Sequence, residues 1–263
     1  MQPLAAMPDA ARRAIRGVLT DIDDTLSTHG SLTAAAYTAL ERLRAAGKLV
    51  IPITGRPAGW CDHIARMWPV DAVVGENGAL YMRHDAPARR LVRRFVVDDA
   101  ERRANRARLA AIGDRIINAV PGCALASDQL YRECDLAIDF CEDVPPLPRA
   151  DVDRIVALME AEGMTAKVSS IHVNGWFGAY DKLGMTRTLL SEAFGLDLDR
   201  ERARFVFAGD SPNDAPMFAF FPHAVGVANV RAFADRIATL PAYVTAGEGG
   251  AGFAELTDFL LAP

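Results

Sequence analysis

Short runs of apolar residues, each ending at a polar or glycine-containing loop and followed by a helical pattern, recur along this chain. Gly17-Val18-Leu19-Thr20 stops at Asp21, Leu49-Val50-Ile51-Pro52-Ile53 at Thr54-Gly55-Arg56, and Ala72-Val73-Val74 at Gly75-Glu76-Asn77-Gly78. Much later Phe205-Val206-Phe207-Ala208 stops at Gly209-Asp210, and Ala224-Val225-Gly226-Val227 and Tyr243-Val244-Thr245 follow. Strands apolar at nearly every position bury both faces, which predicts a parallel sheet with helical crossovers. Over 33–46, Ala36, Leu40 and Leu43 share one helical face ahead of Gly47; over 182–194, Thr186, Leu189, Leu190 and Ala193 do so ahead of Gly195. Glycine just past the last periodic residue is a helix stop. The alternation predicts a doubly wound, Rossmann-like α/β domain, whose ligand site lies beyond the carboxyl ends of the strands. Asp21, Thr54 and Asp210 each stand where a strand ends.

The middle of the chain breaks this rhythm. A helix carrying Leu109, Ile112, Ile116 and Val120 precedes the alternating run Leu136-Ala137-Ile138-Asp139-Phe140. A proline-rich loop over 144–148 leads to a helix ending near Gly163, and 167–173 reads as one strand. This α+β character predicts an inserted α/β unit at 83–180 within a core formed by 1–82 and 181–263, hinged at 83–87 and 174–181.

Composition narrows the chemistry. With 263 residues, 51% hydrophobic, and 29 Lys plus Arg against 34 Asp plus Glu, the chain is neither disordered nor a basic nucleic-acid coat. Cys61, Cys123, Cys134 and Cys141 form no CxxC pair, and the five histidines no HExxH or HxH pair, so a resident metal is expected to take oxygen ligands. No apolar run approaches the roughly 20 residues that span a bilayer, which predicts a soluble, cytoplasmic protein.

Three carboxylates crowd into Asp21-Ile22-Asp23-Asp24-Thr25, and a second cluster, Gly209-Asp210-Ser211-Pro212-Asn213-Asp214, closes another strand. Such crowding needs a cation or a shared proton to relieve it. Alone, the first cluster reads equally as an acidic loop that caps a helix, and the second as a turn. Together, with Thr54 and Lys182 between them, they resemble the four motifs of the haloacid dehalogenase superfamily of phosphohydrolases. The insert is similar to the α/β cap of its sucrose-phosphate, trehalose-phosphate and mannosyl-phosphoglycerate phosphatases and its phosphomannomutases. Asp24 departs from the pattern, since many relatives carry glycine there.

The resemblance implies Asp21 as nucleophile through an aspartyl-phosphate and Asp23 as general acid and base. It implies Thr54 and Lys182 as phosphate ligands, and Mg²⁺ held by Asp21, Asp210 and the Asp23 backbone carbonyl. Asp214 and Asn213 would support the metal's surroundings or Lys182; Arg56 and Asn77 are further substrate-binding candidates. The activity implied is Mg²⁺-dependent hydrolysis of a phosphate monoester of the sugar-phosphate kind. A phosphomutase or a catalytically silent sugar-phosphate-binding protein are the alternatives. The partner is a small phosphorylated metabolite, with no nucleic acid and no membrane, and the sequence leaves open whether the protein is a monomer.

Two other signals reduce to structure. Gly247-Glu248-Gly249-Gly250-Ala251-Gly252 spells the dinucleotide fingerprint GxGxxG, but the chain after it is too short for the second strand and ribose-binding acid, so a glycine-rich loop is expected. Nine arginines lie between Arg83 and Arg108; in an acidic chain without interleaved aromatics they read as a solvated face. His172, Asn174, Trp176, Phe177 and Tyr180 suit either sugar binding or packing near the return to the core.

Overall fold

The computed structural model describes all 263 residues. One six-stranded sheet runs in the order Gln2–Pro3, Tyr243–Val244, Val225–Gly226, Phe205–Gly209, Gly17–Thr20, Leu49–Pro52, with every pairing parallel. Its strands alternate as a doubly buried sheet must. Val18, Val50, Val206 and Ala208 enter one core layer with the helices Ala34–Ala45 and Gly249–Leu261. Leu19, Ile51, Phe205 and Phe207 enter the opposite layer with the helix Lys182–Phe194. Each fully buried Val, Leu or Phe side chain contributes about 1.5–3 kcal/mol, so the two layers hold the strand ends rigidly in register. That register sets Ala208 beside Thr20, and the Asp21 amide donates to Ala208 O at 2.9 Å, which puts both acidic loops at one edge.

The helix ends follow their capping chemistry. Thr33 accepts the Ala36 amide, Asp181 accepts the Gly184 amide, and Gly195 closes its helix in the left-handed region at φ 64°.

A separate four-stranded sheet orders Thr165–Val168, His172–Trp176, Asp135–Asp139 and Ala124–Leu125, all antiparallel. With the helices Asp99–Ala119 and Arg149–Ala161 it encloses its own core of Leu109, Ile112, Ile116, Leu136, Ile138, Ile155 and Met159. This confirms α+β character in the middle of the chain, and three details differ from expectation.

The stretch 167–173 is not one strand. Ser169 Oγ accepts the amides of Ile171 and His172, so the chain turns back there and forms a hairpin without glycine or proline. Gly175 is a paired strand residue, not a hinge; a Cβ there would lie 2.6 Å from Met159 Sδ, so the glycine admits the helix above it. The presumed hinge at 83–87 is the end of a paired strand and the start of a hairpin turn: Leu80–Asp85 and Arg90–Phe95 pair and extend the strand Val73–Gly75. By pairing, residues up to Phe95 belong with the parallel sheet, joined to it through the Ile53–Val74 bridge.

The GxGxxG segment opens the helix Gly249–Leu261. Cβ atoms on Gly249 and Gly250 would meet Ser27 O and Leu26 O at 2.7 and 2.8 Å, so these glycines let the helix lie on the loop after the first acidic cluster. Several of the arginines of 83–108 pair on the surface, Arg93 with Asp62, Arg94 with Glu192 and Arg106 with Glu133. No helix is long and apolar enough to cross a membrane.

Candidate active site

The carboxyl edge of the parallel sheet gathers Asp21, Asp210 and Asp214, all buried, with oxygen atoms within 4.8 Å of one another. Lys182, at the start of its helix, reaches between two of them: Nζ donates to Asp21 Oδ1 at 2.7 Å and to Asp214 Oδ1 at 2.8 Å. The other Asp214 oxygen accepts the amides of Asp210 and Ser211 at 3.1 and 3.4 Å, so Asp214 is fully engaged in holding Lys182 and the loop. Asp210 accepts from Thr25 Oγ1 and Asn229 Nδ2, both at 3.2 Å.

Electrostatics follow from this crowding. Burial pushes the Asp21 carboxyl up to about 8; Lys182 pulls it down, while Asp214 and Asp23 push it further up. Burial, Asp21 and Asp214 likewise hold Asp210 well above the carboxylate range. Burial alone would lower Lys182, but Asp21 and Asp214 outweigh it and keep the ammonium charged. A set of hard oxygen donors, buried and unable to ionise together, is what a small divalent cation relieves, so the donor chemistry fits Mg²⁺.

Asp23 faces away from that cluster. Its carboxylate takes Arg56, Nε to Oδ1 at 2.9 Å and to Oδ2 at 3.1 Å. Asp24, the position that departs from glycine, has φ 54°, a left-handed conformation that Asp tolerates better than most side chains. Thr54 is fully buried; its Oγ1 accepts the Arg56 amide at 3.0 Å, which leaves its own proton to donate. Asn213 accepts from Ser211 Oγ at 2.7 Å and lines the cavity beside Asp21. Asn77 is buried in a left-handed turn, its amide bonded to Thr54 O. It lines a neighbouring cavity with Lys182 and Asn213, not the one beside Asp21.

That turn positions Lys182. Gly78, at φ 105°, presses on the carbonyl that precedes the lysine; a Cβ there would sit 2.0 Å from Asp181 O. Gly78→Ala is therefore expected to lower stability by about 3 kcal/mol or more and to reduce turnover by displacing Lys182. Chemical denaturation read beside kcat checks this, and a variant matching the parent in both removes the argument.

Above the acidic edge the inserted sheet contributes Ser169, Ser170, Ile171, His172 and Asn174, which close the cavity over Asp21 and Asp23. Two acidic residues of the same unit, Asp128 and Glu142, bind Arg56 from above. Neither lies in a recognisable motif; only the alternation of Leu136 to Phe140 hinted that a loop at 141–143 would face one side.

A Rossmann-like core with carboxylates and a lysine at its carboxyl edge, roofed by an α/β insert, places a charged ligand site where such sheets bind their ligands. Residues 18–94 match the family described as haloacid dehalogenase-like hydrolase. The match takes in Asp21, Thr54 and Asn77 and stops short of Lys182 and Asp210.

Among solved structures it is similar to the sucrose-phosphatase of Synechocystis sp. PCC6803 crystallised with sucrose and phosphate, at 15% identity and TM-score 0.63, over 94% of this chain and 98% of that one. The C-terminal domain of the C. albicans trehalose-6-phosphate phosphatase aligns at 12% identity and TM-score 0.69, over 95% of this chain and 94% of that one. The 0175 protein of Thermoplasma acidophilum aligns at 18% identity and TM-score 0.67, over 94% and 98%. Likeness at these identities establishes the fold. No curated protein matches the chain by sequence.

Proposed function

We propose that this protein is a Mg²⁺-dependent phosphatase that hydrolyses a phosphate monoester, its substrate a small phosphorylated metabolite of the sugar-phosphate kind. The observation that carries the reading is the Asp21–Lys182–Asp214 arrangement, a buried carboxylate held beside a charged ammonium at the ligand edge of the sheet. We take the core to be 1–82 and 181–263, with the hairpin to Phe95 attached to it, and the rest of the insert to be the cap. A cytoplasmic setting suits a reaction that leaves its cysteines as free thiols.

The steps use this chain's own groups. Lys182 fixes one oxygen of Asp21, and the other attacks phosphorus to form an aspartyl-phosphate while the ester P–O bond breaks. Asp23 gives its proton to the departing oxygen, then takes one from the water that hydrolyses the aspartyl-phosphate. Thr54 and Lys182 donate to phosphoryl oxygens, which carry negative charge throughout. Asp21, Asp210 and the Asp23 carbonyl would hold Mg²⁺, which would supply the positive charge that lets one anion approach another. Asp214 keeps Lys182 in place, and the insert excludes bulk water from the acyl phosphate.

Phosphate release from a panel of sugar phosphates, nucleotides and phosphorylated acids, with Mg²⁺ and with chelator, tests this. Selective release that chelator abolishes is expected. Isomerised sugar phosphate without free phosphate would identify a mutase, and no turnover at all would leave only a binding role.

A further inference from the structure

The departing oxygen must lie against Asp23, so the groups that surround Asp23 are the ones the rest of the leaving group meets. Around it stand Arg56 from the core and, from the insert, Glu142, Asp128 and His172. Arg56 is shared: Asp23 takes Nε and Nη2, Asp128 Oδ2 takes Nη1 at 3.2 Å, and Glu142 takes Nη2 at 2.5 Å and Nη1 at 3.2 Å. His172 Nε2 lies 2.8 Å from the same Glu142 carboxylate.

Glu142 is held by a purpose-built mount. The buried Asp139 carboxylate accepts the backbone amides of Cys141, Glu142 and Asp143 at 2.8–2.9 Å, which winds the loop tightly and aims Glu142 at the seam. Burial would raise its pKa, yet His172 and Arg56 bring it down to about 2, so Glu142 is an anion at every working pH. Its side chain stays 24% exposed, unlike the 5% of Arg56, so it is the member of the network that an entering molecule reaches first.

The cavity beside Asp21 and Asp23 measures about 10 Å³, room for about one water. With the insert seated this way, Arg56 and Glu142 satisfy one another across the space that a leaving group needs, while the buried His172 Nε2 makes no hydrogen bond. A molecule entering there has to offer hydrogen-bond donors to the Glu142 carboxylate, in place of Arg56, and hydrogen-bonding groups to the Arg56 guanidinium and the unpartnered His172 nitrogen. Hydroxyl groups do both. A second carboxylate or phosphate would face Glu142, Asp23, Asp24 and Asp128 together, against one guanidinium already shared among three acids.

We infer that Glu142 determines leaving-group specificity, accepting hydrogen bonds from a neutral, polyhydroxylated leaving group and excluding one that carries a further negative charge. This rests on the phosphatase reading above and adds to it both a residue and a charge class. Trp60, which stacks on Arg56 at 4.5 Å, keeps the guanidinium in plane whichever partner it holds.

The test compares glucose 6-phosphate and glycerol phosphate (polyols), 3-phosphoglycerate (an acid) and p-nitrophenyl phosphate (neither), using the parent, Glu142→Gln and Glu142→Ala. The parent is expected to favour the better polyol phosphate over 3-phosphoglycerate by about 100-fold in kcat/KM. In Glu142→Gln the ratio of polyol phosphate to p-nitrophenyl phosphate is expected to fall by about 30-fold or more, mostly through KM, while the preference over 3-phosphoglycerate narrows. Melting temperatures of both variants close to the parent's separate this from misfolding. A uniform loss on all four compounds, or a parent that prefers 3-phosphoglycerate, overturns the inference while leaving a phosphatase. Failure of the parent to release phosphate from any of them overturns the phosphatase reading and this inference with it.

Discussion

Asp21→Asn is expected to fold like the parent and to release phosphate at least about 10⁴-fold more slowly. The carboxamide keeps the shape of the side chain but lacks the nucleophilic anion, and no neighbouring acid stands in for it. Asp23 is turned to Arg56, and both oxygens of Asp214 are taken by Lys182 and two backbone amides. Folding has little to lose, since the substitution removes one of three crowded buried carboxylates whose protonation burial already favours. Single-turnover phosphate release checks the rate, and circular dichroism with a thermal melt checks the fold. Turnover within tenfold of the parent would sink Asp21 as the nucleophile.

Lys182→Met is expected to be damaging in two separable ways. Turnover should fall by about 100-fold or more, because a donor to the phosphoryl oxygens and the group that orients Asp21 are lost together. Stability should fall by about 3–5 kcal/mol near pH 8, the cost of leaving buried carboxylates without their counter-charge, and by less near pH 5. The sign comes from proton binding. The Asp21 carboxyl sits at about 8 in the fold against an ordinary value of 3.8, so between these values the folded chain binds more protons than the unfolded one. Unfolding free energy therefore drops as pH rises through that window. Lys182 is the largest influence opposing this rise, so its removal raises the carboxyl further and carries the drop through pH 8 and beyond. Urea unfolding of parent and variant at pH 5, 6.5 and 8 with chelator present measures it; parallel pH curves for the two would show that Lys182 does not hold these charges.

Much of the candidate site was legible because it is local. Doubly apolar strands forced a buried parallel sheet, and the residue after each such strand had to emerge at its carboxyl edge, which is where Asp21, Thr54 and Asp210 stand. The helix bearing Lys182 was legible to its last residue, because its apolar spacing and Gly195 act within single turns. The hairpin at 165–176 was not, because Ser169 made the turn with side-chain hydrogen bonds that composition does not advertise. Asn77 was legible as a turn residue, but its separation from the cavity at Asp21 depended on how the left-handed turn packs against Asp181.

The sequence by itself determined the strand and helix rhythm, the acidic loops and the lysine that faces them, since periodicity, capping and like-charge crowding all operate over a few residues. Tertiary structure alone decided what closes over them. Arg56 meets Asp128 and Glu142 across 72 and 86 positions, and Glu142 meets His172 only because one hairpin folds back on another strand. Such pairings are chosen by which surfaces bury together, and the energy that selects them belongs to the whole packed interface rather than to any stretch of the chain.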